Sequence, residues 1–353
     1  MPNIDKSKLT DLLKKVYQVA DNTFFTTPKD NPKDRIEIEI GDSKQPDSIY
    51  PQFKVKRWDN EVNASFRLKD FDNFNIGSED KQIRLENDKK IVKCYELDDA
   101  YEFEVILKEK PISNIVEFSL NTKGLKFYYQ SELTQKEKDM GCIRPDHVIG
   151  SYAVYATKNK INYIGGKEYK CGKVGHIYRP KIEDANGNWV WGELNINKNV
   201  LSVTIPQSFL DEAIYPIKHV AGLTFGYTTA GATQYSTWGS MFNPIANVGA
   251  DTQRTANTGD TITKYSIYAK ESSSDGTFDV SAYTCESNVP VTRLSTPSVI
   301  NLTTTAGWRD SDAVSLSLTN GNNYCVAFGN GTSGKSICYY DSVGAWNGAN
   351  VSG

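Results

Sequence analysis

Residues 35–42 read Arg35-Ile36-Glu37-Ile38-Glu39-Ile40-Gly41-Asp42. Three isoleucines alternate with two glutamates before a Gly-Asp pair ends the run. A period of two puts Ile36, Ile38 and Ile40 on one face of a strand and Glu37 and Glu39 on the other. Working outward, the pattern recurs at Val62, Ala64, Phe66 and Leu68, at Tyr101, Phe103, Val105 and Leu107, and at Val116, Phe118 and Leu120. Such runs predict half-buried antiparallel strands with one wet face. No rhythm of strand and helix alternates along the chain, which argues against a parallel α/β sheet.

The punctuation agrees. Asp184-Ala185-Asn186-Gly187 predicts a hairpin turn, because Asn and Gly tolerate positive φ. It places Trp189 and Trp191 on one face of the return strand, a pair expected in a core or an interface, with a sugar platform as the alternative. Leu133 to Met140 is the least strand-like part and predicts one or two helical turns. At the N-terminus, Leu9, Leu12, Leu13, Val16 and Tyr17 fall at helical spacing, with Asp5 or Ser7 as cap. Lys14 and Lys15 interrupt the apolar run, so residues 1–22 read as an amphipathic helix and not as a signal peptide.

Near Leu223 the composition changes. Before it, 68 of 222 residues are Asp, Glu, Lys or Arg; after it, 15 of 131 are, and Ser, Thr, Gly, Asn and Tyr take over. The Gly/Thr-rich join around Thr224-Phe225-Gly226-Tyr227 has the character of a domain boundary. Beyond it, Tyr265, Ile267 and Ala269, then Phe278, Val280 and Ala282, are expected inward, with Asp279, Ser281 and Tyr283 outward. Short strands between Gly/Asn/Ser turns predict a sandwich. The fold expected is therefore all-β. It comprises the N-terminal helix over 1–22, a charged antiparallel β-sandwich body over 23–222, and a C-terminal jelly-roll head over 223–353.

Net charge is −3, and no basic stripe stands out, so nucleic acid is not an expected partner. No apolar run has the length of a membrane-spanning helix. The six cysteines are Cys94, Cys142, Cys171, Cys285, Cys325 and Cys338, without CxxC or zinc spacing. They read as reduced, buried thiols of a chain made in a reducing cytosol.

Residues 148–196 and 201–217, with Tyr215-Pro216-Ile217 and then Thr224-Phe225-Gly226-Tyr227, resemble a recurrent type of phage virion surface protein, a fibre or head-decoration protein. The residues between these two motifs, 218–223, depart from the short acidic turn usual there. The head, through residues 259–270, 288–294 and 321–330, is similar to small jelly-roll modules at fibre tips. The resemblance implies a protein made in the host cytoplasm and displayed on the virion. It implies contacts to other virion proteins through the helix and body, a homo-oligomer, and at least one more head strand past residues 339–346, either beyond Gly353 or supplied by a neighbouring chain. It supplies no catalytic residue.

No GxSxG, HExxH, Walker loop or dinucleotide fingerprint occurs. Asp146-His147 invites a catalytic reading, but spacing names no nucleophile. Aspartates at turns of the head (Asp251, Asp260, Asp275, Asp279, Asp310, Asp312) serve as turn caps, or would suit a structural calcium ion; no other cofactor is expected. The aromatic set of the head, Tyr268, Tyr283, Trp308, Tyr339, Tyr340 and Trp346, is the stronger signal. Sugar rings stack on exposed aromatics while Arg and Asp bond the hydroxyls. The candidate glycan contacts are Trp308, Arg309, Asp310, Tyr283, Tyr340 and Trp346. The expected function is a virion structural protein whose head binds host-surface glycan. The alternatives are a glycan-degrading depolymerase or glycosidase, which needs a carboxylate pair in a cleft, and a bacterial surface adhesin.

Overall fold

The computed structural model describes residues 16–20, 23–26, 36–45, 48, 50–57, 60–79, 82–96, 100–139, 142–157, 160–162, 168–170, 173–220, 225–226, 233–236, 243–245, 254–256, 258–259, 261–286, 289–330 and 336–340. Among them the chain is all-β: antiparallel sheets with two short helices. It divides into two units, Met1–Phe127 with Ile149–Thr228, and Tyr128–Val148 with Thr229–Gly353. The division thus falls six residues beyond the expected boundary, and residues 128–148 are grouped with the second unit.

Unit 1 is two sheets around one core. The first runs in the order Val16–Ala20, Thr23–Thr26, Ile36–Ile40, Gln52–Arg57, Val62–Leu68, Ile115–Lys123, Val200–Thr204, Glu193–Asn197. The second has Ala100–Leu107 near its centre, between Lys90–Glu96 on one side and Ile217–Val220 and Phe225–Gly226 on the other. The alternation read from sequence sets the inward faces. Ile38, Phe53, Phe66 and Phe118 come from the first sheet, and Leu85, Phe103 and Leu107 from the second. Phe103 meets Phe53 at 6.0 Å and Phe118 at 5.7 Å between ring centroids, so aromatic contacts join the two sheets.

The helix expected over 1–22 does not reach its end. Val16–Ala20 is a strand, paired antiparallel with Thr23–Thr26; residues 1–15 lie outside the described residues. Val16, Tyr17 and Val19 are strand formers, and Asp21-Asn22 between the paired residues is a turn-forming dipeptide. A ladder of hydrogen bonds therefore outweighs helical spacing there.

Unit 2 stacks a four-stranded sheet (Thr233–Ser236, Ser336–Tyr340, Ser266–Glu271, Gly307–Asp310) on a six-stranded one led by Gly276–Glu286 and Asn323–Asn330. Tyr265, Ile267, Ala269 and Cys338 face Phe278, Val280, Ala282, Ile300 and Leu302. Here one expectation fails. Alternation predicts Ser281 and Tyr283 outward, yet both are buried. The central strand Gly276–Glu286 is covered on both faces toward its end, where Tyr283, Cys285, Cys325 and Ala327 form a second small cluster.

The helical turn expected near 133–140 is Gln135–Asp139. Thr134 and Glu137 form a capping box: the Glu137 amide donates to Thr134 Oγ1 at 3.3 Å, and the Thr134 amide donates to Glu137 Oε2 at 2.7 Å. Buried Arg144 ties the segment into unit 2, donating to Thr233 Oγ1 at 2.9 Å and to the Ser131 carbonyl.

Candidate functional site

Three strands of the four-stranded sheet build an aromatic row on the face away from the core. Ile267 and Ala269 point inward, so Tyr268 between them points out. Register places Tyr268 opposite Trp308 on one neighbour. On the other, Ala269 pairs with Cys338, which sets Tyr268 beside Tyr339. The rings touch edge to face: Trp308 and Tyr268 at 5.7 Å and 80°, Tyr268 and Tyr339 at 5.3 Å and 82°. Cross-strand pairs of this kind hold one another's rotamers and leave ring surface toward solvent. Trp308 is 52% exposed. Burial, and then the neighbouring Tyr268, push the Tyr339 phenol above its ordinary value, so it stays neutral and able to donate.

The charges around the row nearly cancel. Lys264 and Asp310 form an exposed ion pair at 2.6 Å. Lys270, two residues from Tyr268 on the same strand face, adds one cation.

The candidate residues fare differently. Trp308 lies in the row and Asp310 beside it. Arg309 was expected with them in one loop, but residues 307–310 are a strand, and alternation sends Arg309 to the opposite face. Its guanidinium donates to Thr303 Oγ1 at 2.5 Å and to the Thr305 carbonyl at 3.0 Å, bracing the loop just before its own strand. Tyr283 is buried in the other sheet, away from the row, and does not stand outward as alternation predicts. Tyr340 pairs with Thr233 by backbone register; its side chain, like all of Trp346, lies outside the described residues. Tyr268 and Tyr339 take the places that Arg309 and Tyr283 were expected to fill. The signal for Tyr268 was present, since the flanking Ile267 and Ala269 fix its direction.

A second aromatic pair lies in unit 1. Trp189 and Trp191 meet at 5.3 Å and 79° on the strand after the hairpin, and Trp189 is 50% exposed. Core burial, one expectation for this pair, does not hold for Trp189. Arg179 lies 5.3 Å over the Trp191 ring and Lys181 5.2 Å over Trp189, so the protein's own cations already cover ring surface there.

Among the described side chains, His147 and His176 do not converge on a reacting centre. Ser151 Oγ and His176 Nε2 are 2.6 Å apart, a hydroxyl–imidazole pair, but both residues are fully buried and out of reach of a substrate. His147 follows Asp146 in an exposed turn. Among the described residues, no group of three or more His, Cys, Asp or Glu could hold a metal ion. Asp251 and Asp260 lie outside them. No helix among the described residues is long and apolar enough to cross a membrane. No known protein family matches the chain, and no curated protein matches it.

Proposed function

We propose that this chain is a structural protein of a phage particle, with unit 1 as scaffold and unit 2 as a jelly-roll head that binds a host-surface glycan. The row Trp308–Tyr268–Tyr339 carries the binding half of this reading. Exposed aromatics on a rigid sheet meet the C–H faces of sugar rings, and the row needs no loop to close over it. Lys270 and the Tyr339 hydroxyl supply polar contacts at its edge. The sparsely charged composition beyond Leu223 suits a neutral polymer, and several copies on one particle add avidity to a shallow site. The virion half rests on the resemblance of residues 148–227 and of the head.

Two measurements test it. Labelled antibodies against the chain, viewed by electron microscopy on purified particles, should mark the surface; unmarked particles end the virion reading. Purified chain should bind cell-envelope polysaccharide of a susceptible bacterium, and absence of binding ends the glycan reading. Release of soluble oligosaccharides in the same assay would replace it with the depolymerase reading.

A further inference from the structure

Two thiols meet in the small cluster on the outer side of the six-stranded sheet. Register pairs Tyr283 with Cys325, and a step of two along the strand keeps Cys285 on that same face. Cys285 and Cys325 are 4% and 3% exposed, and Tyr283 and Ala327 complete the cluster. Both sulfurs therefore lie on one face of adjacent strands, packed in the same cluster. The ladder to Asn323–Asn330 is regular, while the one on the other side, to Val289–Arg293, shifts register between Tyr283 and Cys285. Cys285 is also the last residue but one of its strand, next to exposed Glu286, so opening that end uncovers it first.

We propose that Cys285 and Cys325 are a modification site, closing to an intramolecular disulfide when the protein meets a disulfide oxidant such as glutathione disulfide. The Cys285 thiolate attacks one sulfur of the oxidant, forming a mixed disulfide and releasing one glutathione thiolate. The Cys325 thiol then loses its proton and attacks the Cys285 sulfur, releasing the second glutathione. Two protein thiols and one glutathione disulfide thus become one protein disulfide and two glutathione thiols. The order follows from position: Cys285 stands at the strand end that opens first, and Cys325 lies farther inside its own strand. Burial pushes both thiols up, Cys325 to about 12, so the reaction waits on opening of the strand end and is slow in the closed sheet. The cross-link closes a long loop between two central strands and stabilises unit 2. This inference is independent of the aromatic row.

Reduced chain is incubated with glutathione disulfide at neutral pH, quenched in acid, alkylated and mapped by mass spectrometry. The Cys285 and Cys325 peptides should be linked, and the intact chain should lose two hydrogens. Melting should move up on the order of 10 °C and return with dithiothreitol. In Cys325→Ala, glutathione should stay on Cys285. The proposal is overturned if both thiols still alkylate after prolonged incubation, in buffer and in urea just below the unfolding transition. It is equally overturned if another cysteine pairs with either. The mapping uses the unaltered chain, so its outcome does not depend on whether a variant folds.

Discussion

Glu39 stands on the face of its strand that alternation turns toward water, yet it is 1% exposed. The long side chains of Lys54 and Lys56 lie beside it, with Nζ 3.6 Å and 2.9 Å from Oε2. The Ser43 amide and hydroxyl donate to Oε1 at 2.9 Å and 2.8 Å. Burial alone would raise this carboxyl, but the bonds from Lys56 and Ser43 and the Lys54 charge outweigh it and hold it below its ordinary value. A carboxyl lowered on folding adds stability above its unfolded pKa and loses it as pH falls through the folded one. Glu39→Gln should therefore cost about 2 kcal/mol near pH 7, and the gap to the unaltered chain should close below about pH 4. Urea unfolding at several pH values measures this, and a gap constant with pH would refute the charge argument. Asp184 makes the parallel case in a turn. Its carboxylate accepts from the Asn186 and Asn188 amides, both at 2.9 Å, from Asn188 Nδ2 at 3.1 Å and from the Ile214 amide at 3.3 Å. The Asn188 side chain first, then those amides, outweigh burial and lower its pKa. Asp184→Ala should lower the melting temperature by a few degrees, and Asp184→Asn by less, because the amide oxygen still accepts.

At the scale of elements, sequence reading went furthest where one residue's direction is decided by its own neighbours. Alternation found the inward faces of 36–40, 62–68 and 100–107, although the last has no wet face, since Glu102, Glu104 and Ile106 are buried too, and Asp184-Ala185-Asn186-Gly187 found the hairpin, with Gly187 at φ +84°. It did worse where a second layer decides. Period two separates the faces of Gly276–Glu286 but cannot say that both are covered, so it leaves Tyr283 on the wet side. Equally, Gly192 gave no sequence signal, although it is the point where the chain leaves Trp189–Trp191 in one sheet for Glu193–Asn197 in the other. A Cβ there would stand 2.8 Å from Ile182 Cδ1 and 3.1 Å from both Pro180 Cγ and Val203 Cγ1. Ile182 and Val203 are fully buried, so neither yields freely. Gly192→Ala should cost roughly 1–3 kcal/mol by overpacking. Gly187→Ala meets no atom within 4 Å and should cost about 1 kcal/mol through its positive φ alone. Ile182→Val separates the two causes. Alone it should destabilise by about 1 kcal/mol. Combined with Gly192→Ala it removes the clashing methyl, so the double variant should be more stable than the sum of the singles; additivity in denaturant melts would exclude the steric account.

For the whole molecule, composition located the change of surface near Leu223, but it did not show that residues 128–148 belong with the later unit. That membership depends on Arg144 reaching Thr233, 89 positions along the chain, and no local pattern records such a contact. The three aromatics of the row belong to the set read from sequence, but their adjacency was hidden for the same reason. Its three rings come from strands 266–271, 307–310 and 336–340, and only sheet order makes them neighbours. Because the row sits on the outer face of a packed sandwich, recognition and stability should separate in unit 2. Trp308 is half exposed, so Trp308→Ala should change unfolding free energy by no more than about 0.5 kcal/mol. If the row is the glycan contact, the same change should weaken binding at least about tenfold, near 1.4 kcal/mol. Phe278 lies fully buried on the inner side of the facing sheet, and Phe278→Ala should cost about 3–5 kcal/mol. Binding in that variant should follow the folded fraction, recovering as temperature is lowered, whereas Trp308→Ala should stay weak at every temperature where unit 2 is folded. Equal affinity of Trp308→Ala and the unaltered chain, measured by calorimetry with polysaccharide that the latter binds, would move the contact off this face.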